Sequence, residues 1–188
     1  MEIQRIKEKL IEKYGENDNR YKHIIGVYNL ATKLAIKYNV DVKKAQIAAL
    51  LHDYYKKESI EEMCQVIDDP SIIKKYQNNT AIYHAYASGA ALKKEFHIDD
   101  EEIYKAIIHH VYGAMNMSRL EEIILISDYC EENRTYPSCV EVRKVLEKSL
   151  SKAIFMCLDY TLRFLEKKGV KPLQEQFDIC EQYRGKED

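Results

Sequence analysis

The sequence predicts an all-α protein, a helical bundle that surrounds one buried polar centre. Only three prolines and six glycines interrupt its 188 residues, so periodic segments continue for long stretches with few helix breakers. The run Ala45–Asp53 is rich in alanine and ends in His-Asp. Its small side chains allow close packing, as expected of a central helix. The length suits one domain with a substantial core, and we expect a single domain over residues 1–188.

Composition and charge exclude several functional classes. The chain is 46% hydrophobic and 32% charged, as in soluble globular proteins. A formal net charge of −2 provides no general basic field for nucleic acid or anionic membranes. No apolar run approaches the roughly 20 residues that span a bilayer, and the N-terminus lacks the apolar core of a signal peptide. We therefore expect a cytoplasmic protein without nucleic acid or membrane partners.

The first three helices are predicted from apolar periodicity and one cap. Residues 3–14 place isoleucine and leucine on one face, and a polar turn follows. A second helix covers about 20–38, and His23 falls on its apolar stripe. Asp41 is the expected N-cap of the central helix, which ends at His52.

Capping signals define the middle of the chain. Ser59 with Glu62 forms a capping box for a short helix to about residue 67, and a turn at Pro70 starts another. The next helix, about 80–96, has a face of small residues that begins with His84.

The last helices follow from similar signals. Asp99 or Asp100 caps a helix that ends near His110, and a box of Ser118 and Glu121 opens the helix that carries Asp128. After a polar connection, one long helix is expected over about 138–168, ended by Gly169 and Pro172, and a tail helix over about 173–183.

Helical phase turns five polar residues toward one interior, namely His23, His52, His84, His110 and Asp128. Asp53 joins them because it follows His52 directly, at a helix end. The other two histidines, His97 and His109, fall on polar surfaces. A single inward histidine is more often a hydrogen-bonded core residue than a ligand. Four of them with two carboxylates make a poor core, because every buried polar group needs a partner. The pattern therefore favours a metal site.

The donor types indicate which metals fit. Imidazole and carboxylate without thiolate suit iron, manganese, zinc or magnesium and disfavour a closed structural zinc site. The five cysteines are scattered and contain no C-x-x-C pair, so we interpret them as structural thiols. An open metal site lowers the pKa of bound water toward about 7 and neutralises phosphate oxygens. Tyr54, Tyr55 and Tyr112 flank the polar residues and are candidate surfaces for base stacking.

Several short runs together resemble one family. They are Arg20–Val27, Ala49–Asp53 followed by Lys56, His84-Ala85, Ala106–His110 followed by Gly113 and Asn116–Ser118, and Leu125–Tyr129 followed by Glu132–Arg134. In this order they resemble the HD-domain metal-dependent phosphohydrolases, and more closely their YqeK-type branch. The resemblance covers about residues 20–175. A bare His-Asp pair is weak evidence for the family, whereas these motifs in this order are strong evidence for it.

The resemblance implies symmetrical hydrolysis of dinucleoside tetraphosphates, which gives two ADP from diadenosine tetraphosphate. It implies iron as the metal, one or two ions, with manganese, magnesium or zinc left open. The implied ligands of the core metal are His23, His52, Asp53 and Asp128. His84 and His110 correspond to residues that bind a second metal or the nucleotide phosphates.

The resemblance also implies roles around the metal. Asp53, His84, His110 and Lys56 are the expected catalytic residues, and the choice between ligand and proton donor for the two histidines stays open. The expected nucleotide contacts are His23, Asp53, Tyr54, Tyr55, Lys56, His84, His110, Val111, Asp128, Arg134, Lys171, Pro172, Leu173 and Gln174. Without the resemblance, Lys56 and Arg134 would more often be solvated surface charges.

Two other interpretations remain at this point. One is an HD phosphohydrolase for another nucleotide, namely a pyrophosphatase, nucleotidase or phosphodiesterase. The other is a non-catalytic module that binds a nucleotide or a partner protein. The sequence leaves a homodimer open.

Overall fold

A computed structural model describes residues 2–77 and 79–188, so that Met1 and Asn78, which the expected single domain includes, lie outside the described residues. Every regular element in the described part is a helix, which confirms the all-α class. The helices are α1 (Glu2–Tyr14), α2 (Asn19–Lys37), α3 (Val42–Leu51), α4 (Ile60–Val66), α5 (Pro70–Lys75), α6 (Thr80–Lys94), α7 (Glu101–Ile108), α8 (Arg119–Cys130), α9 (Pro137–Leu146), α10 (Leu150–Lys167) and α11 (Gln174–Gln182).

The predicted caps set most of these boundaries. The Asp41 carboxylate accepts a hydrogen bond from the Lys44 amide at 3.0 Å and starts α3. Both capping boxes, at Ser59 and Ser118, are formed in full. Of the two candidate caps for α7, Asp100 is the one used. Each cap satisfies amide donors that the first turn of a helix leaves without an intrahelical partner.

The expected single helix over 138–168 is wrong: the structure divides it into α9 and α10. Ser149 leaves the helical conformation and its side chain accepts from the Lys152 amide at 3.2 Å. The carboxylate of Asp188, from the other end of the chain, accepts from the Leu150 and Ser151 amides at 2.8 and 2.6 Å. A distant residue thus satisfies the start of α10, which local periodicity does not reveal.

The core lies where α2, α3, α7 and α8 pack on one another. α1 lies against α2 and α3, α6 against α7, and the pair α9–α10 against α8. The alanines of α3, Ala45, Ala48 and Ala49, are fully buried, which agrees with a central helix that neighbouring helices approach closely. A smaller apolar cluster around Met63 and Tyr83 supports α4 and α6.

The described helices include none whose length and apolarity would suffice to cross a bilayer. All five cysteines are free thiols, and four of them are buried. This agrees with their interpretation as structural residues.

Candidate metal centre

Six polar residues from five segments of the chain meet at one point inside the bundle. His23 lies on α2, His52 and Asp53 directly follow α3, and His84 lies on α6. His110 follows α7 by two residues, and Asp128 lies on the last turns of α8. All six are buried except Asp128, which is half-buried. Helical phase predicted this convergence for the five residues within or at the end of a helix.

These residues form two adjoining groups that share one carboxylate. Donor atoms of the first group, His23, His52, Asp53 and Asp128, all lie within 4.8 Å of one another. The second group consists of Asp53, His84 and His110 within the same limit. Both groups can hold a metal ion, because each offers three or four imidazole and carboxylate donors around one centre.

Asp53 divides its two oxygens between the groups. Its Oδ2 lies 3.6 Å from Nε2 of His23 and 3.5 Å from Nε2 of His52. Its Oδ1 lies 3.0 Å from Nε2 of His84 and 3.7 Å from Nε2 of His110. A carboxylate in this position can bridge two cations.

Each inward histidine is oriented by an oxygen at Nδ1. The Nδ1 atoms of His52, His84 and His110 lie 2.7, 3.1 and 2.6 Å from the backbone carbonyls of the residues three or four positions earlier. Nδ1 of His23 lies 3.1 Å from Oε1 of Glu131. These oxygens keep a proton on Nδ1, so that in the neutral form of each ring Nε2 has a lone pair that faces the centre.

The Nε2 atoms of the four inward histidines are arranged to bind a cation and not to hydrogen-bond one another. Nε2 of His23 and of His52 are buried without a partner in hydrogen-bond geometry, although carboxylate oxygens lie near both. Nε2 of His84 and of His110 face each other at 3.1 Å. Two lone pairs at that separation repel unless a proton or a metal ion lies between them. The donor set therefore fits a metal.

Electrostatics keep most donors in their metal-binding forms. Burial alone would raise the pKa of Asp53, but His52, His110 and His84 outweigh it and hold the pKa well below its usual value. Burial alone would also raise the pKa of Asp128, but Arg134 and His23 outweigh burial and hold this pKa well below its usual value. Burial lowers the pKa values of His84 and His110. At neutral pH both carboxylates are thus ionised and both of these histidines are neutral.

His23 differs from His84 and His110 in its charge at neutral pH. Burial alone would lower its pKa, but the carboxylates of Asp128 and Glu131 raise it to about 9. Because a ligating imidazole must be neutral, metal binding at this residue releases a proton.

Basic side chains border the two groups. Arg134 donates to Oδ1 of Asp128 at 2.6 Å, and Arg20 forms an ion pair with Oδ2 of Asp53. Nζ of Lys56 lies 3.2 Å from Nε2 of His84 and 3.9 Å from Oδ1 of Asp53. The structure therefore brings both predicted cations, Lys56 and Arg134, to the centre.

Three residues near the centre had no predicted role. Arg20 lies one turn before His23, and Glu131 lies just past the end of α8, three residues after Asp128. Helical spacing alone could have indicated both. Tyr14 on α1 could not be found in this way, since its hydroxyl lies 3.0 and 2.8 Å from the backbone carbonyls of Asp53 and Tyr54, far away in sequence.

Glu131 also explains a glycine on α2. A Cβ at Gly26 would collide with the carboxylate of Glu131, which is held by His23 and by Asn133. Glycine here lets Glu131 approach α2 closely enough to orient His23.

The other predicted contact residues lie farther from the centre. Tyr54 is buried, packs on Phe96 and donates its hydroxyl to Glu95 at 2.8 Å, and Tyr55 donates to the same carboxylate at 2.9 Å. Glu95 thus engages both hydroxyls, and the role of the two tyrosines as nucleotide contacts stays a prediction. Val111 directly follows His110.

Two cavities flank the centre. Cavity A, of about 700 Å³, is bordered by His23 and Arg134 and further lined by Arg20, Lys22, Lys57 and Tyr136. Cavity B, of about 380 Å³, is lined among others by Asn79, Tyr112, Lys171 and Leu173. Asn79 caps the helix that carries His84, and Tyr112 follows His110 by two residues. Cavity A thus borders the first metal group directly, and cavity B lies near the segments that carry His84 and His110.

The predicted segment Lys171–Gln174 lies at cavity B and does not contact the metal groups. Lys171 and Leu173 line that cavity, and Pro172 and Gln174 belong to the same connection from α10 to α11. Its place beside Tyr112 agrees with a contact to a distal part of a ligand.

Comparison with known proteins gives consistent results. The HD domain family model matches residues 20–133. The chain is 37% identical to the symmetrical bis(5'-nucleosyl)-tetraphosphatase of Bacillus subtilis over 85% of this chain and 87% of the relative. It is 38% identical to the protein of that name from Halalkalibacterium halodurans, over 81% and 82%.

A solved structure from Clostridium acetobutylicum, described as a predicted HD superfamily hydrolase involved in NAD metabolism, shares the fold. It aligns with a TM-score of 0.84 and 34% identity, over 97% of this chain and 96% of that one.

Proposed function

The chain belongs to the HD domain family, and from this premise we propose that it hydrolyses dinucleoside tetraphosphates symmetrically, giving two ADP from diadenosine tetraphosphate. The relatives that match most of its length carry this activity in their names. The observation that carries the proposal is the pair of metal groups joined by Asp53, with cavity A bordering the first group at His23 and cavity B near the segments that carry His84 and His110. A substrate with two like halves and a central cleavage point fits this layout.

The HD domain implies a divalent metal, and the two groups described above are the residues that would hold it. A bound divalent ion supplies Lewis-acid chemistry, in that it activates water at neutral pH and neutralises phosphate charge. We propose iron, in one or two ions, because the family resemblance implies it. Imidazole and carboxylate donors without thiolate suit iron, as they also suit manganese, magnesium and zinc.

Lys56 and Arg134 are proposed to bind the phosphates on either side of the cleaved bond. Arg134 lies beside Asp128 in the first group, and Lys56 lies beside His84 in the second. The guanidinium can contact a phosphate through two donors at once, whereas the ammonium acts as a point charge. One of them would thus place positive charge beside the attacked phosphate, and the other beside the leaving diphosphate, which becomes more negative as the bond breaks.

His84 and His110 are proposed as ligands and not as proton donors. Both are oriented by backbone carbonyls, both present Nε2 to Oδ1 of Asp53, and burial lowers the pKa of each. A histidine that is neutral at pH 7, with its remaining N–H held by a carbonyl, has no proton to give to a leaving group.

We propose that cavity B holds one nucleoside of the substrate. Tyr112 offers a ring for stacking on a base, and Lys171 adds positive charge. The segment that contains Lys171 and Leu173 is where the family resemblance implies nucleotide contacts.

A cytoplasmic location is proposed as well. All five cysteines are free thiols in the structure, as is usual in reducing compartments.

The test combines metal analysis with product analysis. The protein is purified, its metal content is measured, and diadenosine tetraphosphate is supplied with iron or manganese. ADP is expected as the sole nucleotide product. Equimolar AMP and ATP would contradict symmetrical cleavage, and no turnover with any of these metals would contradict the proposed activity.

Asp53→Asn is the matched variant, because it keeps the shape of the side chain and removes the charge shared by both groups. We expect at least about a 100-fold loss of turnover together with loss of bound metal. Even the replacement of a residue that only orients a ligand lowers metal affinity or activity by about 10–100-fold. Asp99→Asn, at a carboxylate whose side chain is 82% exposed, serves as the control and is expected to behave like the wild type.

A further inference from the structure

We infer that cavity A is the subsite for the second nucleoside diphosphate half of the substrate, with Lys22 and Lys57 facing its phosphates and Tyr136 stacking on its base. This inference rests on the proposed function. It assigns a binding role to a surface outside the metal groups that shares no lining residue with cavity B.

The position of cavity A connects it to the first metal group. Its wall includes His23, a member of that group, and Arg134, which donates to the ligand Asp128. A ligand in the cavity can therefore extend to the metal centre without crossing the protein interior. The volume of about 700 Å³ is within the roughly 300–1,000 Å³ of typical small-molecule sites.

The charge of cavity A suits phosphate. Four cationic side chains, those of Arg20, Lys22, Lys57 and Arg134, line it against two acidic ones, Asp18 and Glu131. Both acids are engaged by neighbours and do not face the cavity as free charges. Asp18 accepts from Nζ of Lys57 at 2.7 Å and from the Arg20 amide at 2.6 Å.

The second acid is engaged in the same way. Glu131 is buried against Nδ1 of His23 at 3.1 Å and the Asn133 amide at 2.7 Å. Three of the four cations are paired as well, Arg20 with Asp53, Lys57 with Asp18 and Arg134 with Asp128. Lys22 forms no ion pair within the described residues. A phosphate in the cavity can accept hydrogen bonds from Lys22 and from the donors that the three pairs leave unused.

Tyr136 supplies an aromatic surface at the rim. Its side chain is 68% exposed, and its backbone forms the N-cap of α9 without a capping hydrogen bond from the side chain. Pro137 follows at the first helical position and restricts the backbone there. An exposed ring on a fixed backbone beside a basic cavity is the arrangement that stacks on nucleobases.

A substrate with two identical ends suits two subsites. The cleaved bond lies midway between these ends, so a site for each end would place that bond at the metal centre. Cavity A includes His23 of the first metal group, cavity B lies near the segments that carry His84 and His110, and each cavity combines a tyrosine with lysines. Two unlike cavities thus bind two like ends.

The experiment measures ADP binding and diadenosine tetraphosphate kinetics on the full chain loaded with manganese. Calorimetric titration with ADP is expected to give two sites per wild-type chain, and in Tyr136→Ala and Lys57→Ala one of the two sites should bind ADP about tenfold more weakly. With the tetraphosphate, the same variants should raise KM by about tenfold and leave kcat within a few-fold, because one stacked base contributes about that much. Tyr136→Phe keeps the ring and should restore the wild-type KM.

Two matched controls distinguish the cavity from the general surface. Phe164→Ala removes an aromatic ring that is 58% exposed on α10, and Lys33→Ala removes an exposed lysine from the same helix as Lys22. Both should bind two ADP and keep the wild-type KM.

One ADP per wild-type chain, or cavity variants that behave like the controls, would overturn the inference. These outcomes can be separated from failure of the proposed function. If the wild type releases ADP from the tetraphosphate and Tyr136→Ala keeps the wild-type KM, the proposed function is supported and the proposed subsite is contradicted. If the wild type binds two ADP and cleaves no dinucleoside tetraphosphate, the proposed function is contradicted instead.

Discussion

At the scale of single residues, the metal centre depends on oxygens that lie behind the ligands. Each of the four inward histidines has an oxygen at Nδ1, three of them backbone carbonyls and one the carboxylate of Glu131. Because the carbonyls belong to the same helix or helix end as the histidine, three rings are oriented by local backbone. His23 alone depends on another part of the chain.

A buried carboxylate outside the centre, that of Glu121, gives a pH-dependent prediction. The buried Glu121 lies 2.6 Å from Nδ1 of His109 and forms the capping box with Ser118. Burial alone would raise its pKa, but His109 and Ser118 lower it below the ordinary value of 4.5. Since the pKa is lower in the folded chain, the charged form stabilises the fold above about pH 4.5, and this contribution is lost as the pH falls through the folded-state pKa.

Glu121→Gln should therefore lower the free energy of unfolding at pH 7 by roughly 1–3 kcal/mol, the range for a hydrogen bond to a charged group. The amide can still serve the capping box, so the change isolates the charge. The difference from the wild type in urea unfolding should shrink as the pH is lowered below about 4.5. A constant difference across that range would contradict the assignment, and Glu16→Gln, at an exposed turn residue, is the control.

At this scale the sequence predicted the inward residues well and their partners poorly. Helical phase places His23, His84 and Asp128 correctly because the phase is a property of one helix. Glu131, which orients His23, and Glu121, which pairs with His109, are contacts between elements. His109 was expected on a polar surface and is instead half-buried against Glu121.

At the scale of elements, α1 supports the metal centre from outside the family match, which begins at residue 20. The hydroxyl of Tyr14 lies between the carbonyls of Asp53 and Tyr54, at the turn that presents the shared carboxylate. Lys13 of the same helix forms an ion pair with Glu58 just beyond that turn. The helix thus holds the backbone that carries Asp53.

Tyr14→Phe should weaken metal binding several-fold and lower the free energy of unfolding by about 1 kcal/mol, since one hydrogen bond to the turn is lost. Metal affinity is measured by competition with a chelating dye, and stability by urea unfolding. Tyr38→Phe, at the C-cap of α2, is the control. If Tyr14→Phe bound metal as tightly as this control, the hydroxyl would have no positioning role.

The break between α9 and α10 shows why boundaries are harder to predict than helices. Apolar spacing continues across residues 147–149, so periodicity favours one helix. The break depends on Ser149 as a cap and on Asp188, nearly 40 positions away, as the acceptor for two amides. Serine at a helix start was a readable local signal, whereas the contact with Asp188 was not.

At the scale of the whole molecule, metal binding should be coupled to folding. The ligands come from α2, α6, α8 and the ends of α3 and α7, so an ion bound there joins most of the bundle. A ligand that binds only the folded state stabilises it by about 2.7 kcal/mol at 100 times its Kd. For a chain of this size the melting temperature should rise by roughly 5–10 °C.

Thermal melting with manganese and with a chelator measures this effect. The wild type should show the shift and Asp53→Asn should lack it, while Asp99→Asn should show it in full. An equal shift in all three proteins would mean that the ion binds elsewhere.

The single carboxylate that both metal groups share has a practical consequence for dissecting the centre. Any change at Asp53 disables two coordination spheres together, so it cannot report on either by itself. To disable one metal group alone, the substituted residue must belong to that group only, such as His23 for the first group or His84 for the second. A half-loaded form made in this way would show whether one ion is enough for turnover.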